Sequence, residues 1–164
     1  MVSGTHVLPG THVLAMPRIE RTAESVWQGN LARGKGTIYA RSSGAFELPY
    51  SLATRVGNPE GKSSPEELIA AAHAGCFATS LAGELTALGF PPERLSVTAT
   101  CVMDEVEGKG HLVVASNLGV EAKVPGIEEE DFQRVVAEAD AGCPIATLIR
   151  GTAEVRVSAQ LENR

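Results

Sequence analysis

Residues 64–77 read SPEELIAAAHAGCF and begin a long apolar segment. Ser64 is a typical helix N-cap, and Pro65 fits the first helical position, where no hydrogen bond is lost with its missing N–H. Gly89 and the prolines that follow it end the pattern, because neither residue type continues a helix well. The sequence therefore predicts a helix over Glu66–Leu88.

One face of this predicted helix carries only small side chains. They recur at spacings of three and four residues, which places them in one row and lets another helix approach closely. The segment is apolar enough to raise the question of a membrane span, but His73 and Glu84 lie within it, so we predict a buried core helix. The members of the small row are Ala71, Gly75, Ala78 and Ala82.

Alternating apolar and polar residues predict strands on both sides of the helix. After it, Gly142 ends a second predicted helix, and Pro144 begins a short one over Ile145–Ile149. Strands, a long helix, strands, two helices and a strand in this order predict an α+β fold. The predicted strands cover residues 22–28, 37–40, 46–51, 95–103, 112–124 and 153–161, with a loop over residues 57–63.

Composition limits the classes of function. A length of 164 residues with 43% hydrophobic residues fits one globular domain, which we place at residues 16–164. Residues 1–15 repeat a short motif without a core pattern, so we predict a disordered extension with Met16 as an alternative start. The net charge of −6 argues against nucleic acid or anionic membranes as partners. Three cysteines and no signal-peptide pattern predict a cytoplasmic protein.

Two of the three cysteines lie in distinctive settings. Cys76 is in the middle of the long helix, and Cys143 lies in an Ala-Gly-Cys-Pro corner. Local rules favour Cys143 as the more reactive thiol, because a helix N-terminus stabilises a thiolate. Taken alone, Cys76 is as well explained as a small buried apolar residue. Cys101 lies within a predicted strand, and we assign it to the core.

A metal site is the alternative use of these residues. His73, Cys76 and Cys143 are a possible set of three zinc ligands, but no paired-cysteine or paired-histidine motif accompanies them. His6 and His12 lie in the predicted extension and are expected to be solvated. We therefore predict neither a metal nor a cofactor.

Several motifs together resemble one family, the OsmC/Ohr proteins, which are osmotically inducible and organic-hydroperoxide-resistance proteins of the oxidative stress response. The resemblance covers about Thr22 to Leu161 and is closer to the OsmC branch. It implies one OsmC-like domain, with strands around a long central helix, in an intertwined homodimer. The motifs are Arg33-Gly34-Lys35-Gly36-Thr37, Thr54-Arg55, residues 64–77, Val124-Pro125-Gly126-Ile127 and Ala141-Gly142-Cys143-Pro144.

The resemblance also implies a cysteine-based peroxidase. Cys76 then attacks an organic hydroperoxide, hydrogen peroxide being a poorer substrate, and Cys143 resolves the sulfenate as a disulfide. This order reverses the local ranking of the two thiols. Arg55, or alternatively Arg33, activates Cys76, and Glu66 orients the arginine. A dithiol such as dihydrolipoamide or a lipoylated protein then reduces the disulfide.

Helix geometry adds a condition to this implied site. Glu66 and Cys76 are ten residues apart, which is ~15 Å of rise along a straight helix. Glu66 therefore cannot reach Cys76 of its own chain, and the partner subunit has to supply it.

A non-catalytic protein that binds or stores a small apolar ligand is the alternative function. A Cys–His hydrolase is disfavoured, because no motif supplies a residue to orient the histidine.

Overall fold

The computed structural model describes residues 18–162, so the predicted extension over residues 1–15 and Met16 lie outside the described part. The chain there forms six strands and four helices. In chain order these are β1 Glu24–Gln28, β2 Lys35–Tyr39, β3 Glu47–Tyr50, α1 Leu52–Val56, α2 Pro65–Ala87, β4 Arg94–Val106, β5 Gly110–Lys123, α3 Glu129–Gly142, α4 Pro144–Arg150 and β6 Glu154–Leu161.

The first three strands form an antiparallel sheet in the order β1-β2-β3. Strand β2 begins at Lys35, two residues earlier than predicted, so Gly36 belongs to the strand rather than to a turn. A Cβ atom on Gly36 would lie 2.2 Å from the ring of Tyr50, and one on Gly34 would lie 2.6 Å from Trp27. Both glycines are needed because aromatic rings lie directly on the backbone at these positions.

Helix α2 begins and ends within a residue of the predicted positions. Ser64 caps it, with its hydroxyl accepting the N–H of Glu67 at 3.1 Å. One side of the helix packs against β4 and against α3 and α4. By length and composition α2 could cross a membrane, but the large side chains of its core-facing side fill the protein core. The fully buried residues of this side are spaced four apart and are His73, Phe77, Leu81 and Leu85.

The opposite side of α2 is uncovered in the described chain. Of the predicted row of small residues, Ala71 and Gly75 are exposed, and Ala78 and Ala82 are half-buried. The predicted second helix against this row is therefore not part of residues 18–162. A parallel row, which we call the uncovered face, is exposed throughout and consists of Ala72, Gly75, Thr79, Gly83 and Thr86.

The second sheet has the order β4-β5-β6, with β4 and β5 antiparallel and β5 and β6 parallel. A register shift at Val102/Met103 places an extra residue in β5, and both Ala115 and Ser116 are buried beside it. One face of this sheet meets α2 and α3 in the main core, whose largest members are Phe77, Leu81, Leu85, Ile127 and Phe132.

The architecture is thus α+β with one long helix, as predicted, and the strands form two small sheets. The expectation that strands surround α2 holds for one side only within a single chain. The short helix α1 was not predicted. It forms because Ser51 and Thr54 make a reciprocal capping box, in which each side chain accepts the backbone N–H of the other.

Candidate active site

Two cysteines that are distant in sequence meet in the fold. The thiol of Cys143 donates to the sulfur of Cys76, with the two Sγ atoms 3.1 Å apart. Cys143 is fully buried, whereas Cys76 is half-buried on α2, between the core side of the helix and its uncovered face. A small movement therefore brings the two sulfurs to disulfide distance, and only Cys76 is open to a reactant from outside.

The corner between α3 and α4 holds Cys143 in place. The residue is the C-cap of α3 and the N-cap of α4, and its backbone is extended between the two helices. Its Sγ lies 3.5 Å from the N–H of Ala146, which favours the thiolate, but burial has the larger effect and raises the pKa of the thiol. Burial therefore opposes the effect of the helix N-terminus, on which the local ranking of Cys143 as the more reactive cysteine rests.

His73 lies on α2 one turn before Cys76 and is fully buried. Its Nδ1 is 2.7 Å from the hydroxyl of Ser116, while its Nε2 is buried without a hydrogen-bond partner among the described residues. Burial lowers the pKa of His73; the charge of Asp140 opposes this shift and that of Arg150 adds to it. A buried, neutral imidazole bonded to a serine is placed for packing rather than for proton transfer.

An arginine–carboxylate pair forms a second cluster, between α1 and the start of α2. The Nε of Arg55 donates to both carboxylate oxygens of Glu66, at 3.1 and 3.0 Å, and Nη2 adds a further bond. The two side chains are 37% and 15% exposed. Hydrogen bonding from Arg55 lowers the pKa of Glu66, so both groups are charged at neutral pH.

Within one chain, the Arg55–Glu66 pair does not lie beside the thiol pair but next to other side chains. Nη2 of Arg55 is 3.9 Å from the sulfur of Met103, and Cys101 lines the same recess of about 330 Å³. Burial first, and the charge of Glu66 second, raise the pKa of Cys101. The alternative arginine, Arg33, lies exposed in the turn before β2, where its backbone N–H donates to Asn30.

The metal alternative finds no support in the described part of the chain. Residues 18–162 bring no group of three or more histidine, cysteine or acidic side chains together as ligands for an ion. Of the set that the sequence allowed, His73 has its Nδ1 engaged by Ser116, while the two cysteines contact each other.

Comparison with known proteins gives the same family as the motifs. The family profile described as OsmC-like protein matches residues 57–158. The chain belongs to the OsmC family. Peroxiredoxin OsmC of Escherichia coli (strain K12) is 35% identical over 145 residues, which cover 88% of this chain and 99% of that protein.

More distant members of the OsmC family agree. The organic hydroperoxide resistance protein of Xanthomonas axonopodis pv. citri is 27% identical over 120 residues, 71% of this chain and 81% of that one. The crystal structure of the organic hydroperoxide resistance protein OhrB of Bacillus subtilis has a TM-score of 0.67 at 21% identity, covering 85% of this chain and 98% of that chain. The names of the curated relatives support a peroxidase-type role, and the structural likeness supports the fold.

Sequence reasoning did not identify some of the residues around the thiols of this OsmC-family chain. Ser116 was not singled out although it continues the alternation of buried residues in β5, because a serine itself gives no apolar signal. Arg150 of α4 forms an ion pair with Asp140 of α3 across the Cys143 corner, and Nη1 also donates to the backbone oxygen of Asp140 at 3.3 Å. Their opposite charges were visible, but the angle between the two helices was not.

Proposed function

We propose that the chain is a thiol-dependent peroxidase that reduces organic hydroperoxides, and hydrogen peroxide less well, to alcohols. The observation that carries the proposal is the 3.1 Å contact between one half-exposed and one buried thiol. Such a pair has one sulfur that a peroxide can reach and a second that can attack only its neighbour. The names of the relatives point to the same chemistry.

The first step is assigned to Cys76. Its thiolate attacks the distal oxygen of the hydroperoxide, the O–O bond breaks, and the leaving alkoxide takes up a proton to become the alcohol. Cys76 is then a sulfenic acid. The thiol of Cys143 attacks the Cys76 sulfur, the S–O bond breaks, and a disulfide and water are formed.

The reduced enzyme is then restored by a reductant from outside the chain. We assign this role to a dithiol, either dihydrolipoamide or a lipoylated protein, which returns both thiols by exchange through a mixed disulfide. We place the enzyme in the cytoplasm, where the pool of reduced thiols keeps such a pair reduced between turnovers.

We assign activation of Cys76 to Arg55, with Glu66 as the residue that orients it. A guanidinium beside a cysteine favours the thiolate and stays charged throughout. Glu66 is at the start of α2 and Cys76 ten residues along it, so this role requires the arginine pair of a second copy. Arg55 is preferred over Arg33 because Glu66 already fixes its guanidinium by several hydrogen bonds.

The uncovered face of α2 supports a homodimer. Its five residues are small, and the hydroxyls of Thr79 and Thr86 donate to backbone oxygens one turn earlier. The face therefore presents mainly methyl groups and backbone, which suits close packing with a second copy of the same chain. Cys76 borders this face, so a site completed at the dimer interface is consistent with its position.

The test is to count thiols and hydroperoxide consumed after adding cumene hydroperoxide without reductant. The wild-type enzyme should lose Cys76 and Cys143 together and consume one equivalent. Cys76→Ser should consume none, because serine at neutral pH is no comparable nucleophile. Cys143→Ser should consume the first equivalent and stop as a sulfenate that further peroxide over-oxidises. A protein that only binds or stores an apolar ligand would keep all its thiols.

A further inference from the structure

The two least exposed ion pairs of the described residues both involve an arginine. One is Arg55–Glu66, and the other is Arg150–Asp140, with side chains 37% and 19% exposed. Other pairs, such as Arg134 with Asp131 on the surface of α3, are about half exposed on both sides. A half-buried pair is screened less than a surface pair and therefore restrains its surroundings more.

The Arg150–Asp140 pair closes a loop around Cys143. Asp140 lies in the last turn of α3, and Arg150 is the last residue of α4. Arg150 holds both the carboxylate and the backbone oxygen of Asp140, and the N–H of Cys143 donates to that same oxygen at 3.4 Å. The angle between α3 and α4, and with it the direction of the Cys143 side chain, is thus tied to this contact.

The charges of the pair also reach the helix that carries Cys76. The charge of Asp140 raises the pKa of His73, one turn before Cys76, and that of Arg150 lowers it. Nε2 of His73 and Oδ1 of Asp140 are both buried without a hydrogen-bond partner among the described residues. A half-buried carboxylate with one buried, unbonded oxygen depends on its remaining partner, which makes Arg150 hard to replace.

We propose that Asp140 and Arg150 are positioning residues that keep Cys143 within reach of the Cys76 sulfenate and so favour the disulfide over over-oxidation. The inference rests on the proposed peroxidase function. Once Cys76 is a sulfenic acid, two reactions compete for its sulfur. The Cys143 thiol gives the disulfide and water, whereas a second hydroperoxide gives the sulfinic acid and another alcohol. Only the first depends on the corner between α3 and α4.

The experiment measures how the products divide between disulfide and sulfinic acid as cumene hydroperoxide is raised, by mass spectrometry of the intact chain. In Arg150→Gln, the hydroperoxide concentration that over-oxidises half of the chains should fall about tenfold. This corresponds to a change of ~1.4 kcal/mol in the difference between the activation barriers of the two competing reactions. Arg150→Lys keeps the charge but cannot hold carboxylate and backbone oxygen together in the same way, so it should recover part of the loss. Arg134→Gln, on the surface of α3, is the matched control and should behave as wild type.

A second measurement separates positioning from general damage to the fold. In the Cys143→Ser background, Arg150→Gln should form the sulfenate at an unchanged rate, because the first step does not use the corner. If that rate falls as well, or if the products divide as in wild type, the inference is wrong while the peroxidase proposal stands. If wild-type Cys76 forms no sulfenate at all, the proposed function itself fails. If Arg150→Gln does not fold, the same comparison is made with Asp140→Asn, which is a milder change.

Discussion

The thiol pair and the Arg55–Glu66 pair are assembled in different ways. Cys76 and Cys143 meet inside one chain, because the Gly-Cys-Pro corner is packed against the core side of α2. Arg55 and Glu66 also meet inside one chain, but at the N-terminal end of α2, where they are neighbours of Met103 and Cys101. A single chain therefore holds a complete redox pair and a complete ion pair that do not meet.

This difference shows which part of the proposed mechanism depends on assembly. Resolution of a sulfenate needs only the thiol pair, so one folded chain is sufficient for it. Activation by Arg55 needs the ion pair of another subunit, since ~15 Å of rigid helix separates Glu66 from Cys76. The predictions below separate these two requirements.

The largest expected effect comes from mixing two inactive variants. Arg55→Ala and Cys76→Ser should each show little turnover as homodimers. A mixed dimer has one site with Cys76 from the first chain and Arg55 from the second, so that site is intact. Refolding the two variants together in equal amounts should restore about a quarter of wild-type activity per chain, because half of the dimers are mixed and each has one working site. Steady-state consumption of hydroperoxide measures it.

The outcome distinguishes the two arrangements clearly. If each arginine served its own chain, the mixed dimer would contain no intact site and mixing would restore nothing. Arg33→Ala in place of Arg55→Ala is the control for the alternative arginine. Recovery with Arg33→Ala and not with Arg55→Ala would move the activating role to the turn before β2. Light scattering should show a dimer for each protein, and an active monomer would contradict the shared site.

The resolving step should be strongly pH-dependent. Burial raises the pKa of Cys143 above its usual value of 9.0, so the thiol is protonated at neutral pH and only a small fraction is the attacking thiolate. The rate of disulfide formation from the sulfenate should therefore rise about tenfold per pH unit through the neutral range. Stopped flow after one equivalent of hydroperoxide gives this rate. A rate that levels off below neutral pH would show that the N–H of Ala146 outweighs burial.

The sequence predicted α2 well because its signals are local. A serine and a proline begin it and a glycine follows it, so its bounds depend on a few neighbouring residues. The meeting of Cys76 and Cys143 followed from the resemblance to a family, not from any pattern in the chain. The five residues of α1 are too short to show periodicity. The contact of Ser116 with His73 depends on how β5 packs on α2, and that of Arg150 with Asp140 depends on the angle between two helices, which no local pattern encodes.

His73, which lies on the thiol side of the molecule, should make the free energy of unfolding depend on pH. Its pKa in the folded state is below the ordinary value of 6.5, so as pH falls the unfolded chain takes up the proton first. Stability should therefore fall as pH decreases through ~6.5, by at most ~1.4 kcal/mol per pH unit, and stop falling below the folded-state pKa. His73→Gln should lose this contribution. Urea unfolding of both proteins at equal concentration and at several pH values measures the difference. If the free energies of unfolding of the two proteins changed with pH in parallel, the assignment would be contradicted.

The smallest effect is expected for the third cysteine, which lies on the ion-pair side. Burial and the charge of Glu66 raise the pKa of Cys101, so it is mainly protonated and a poor nucleophile at neutral pH. Cys101→Ser should change turnover by less than about twofold, because the proposed chemistry uses only the thiol pair. The informative comparison is made in the Cys143→Ser background. There, a disulfide between subunits that disappears when Cys101 is also replaced would show that Cys101 reaches the partner's sulfenate. Such a band on a non-reducing gel, together with lost turnover in Cys101→Ser alone, would make Cys101 rather than Cys143 the resolving thiol.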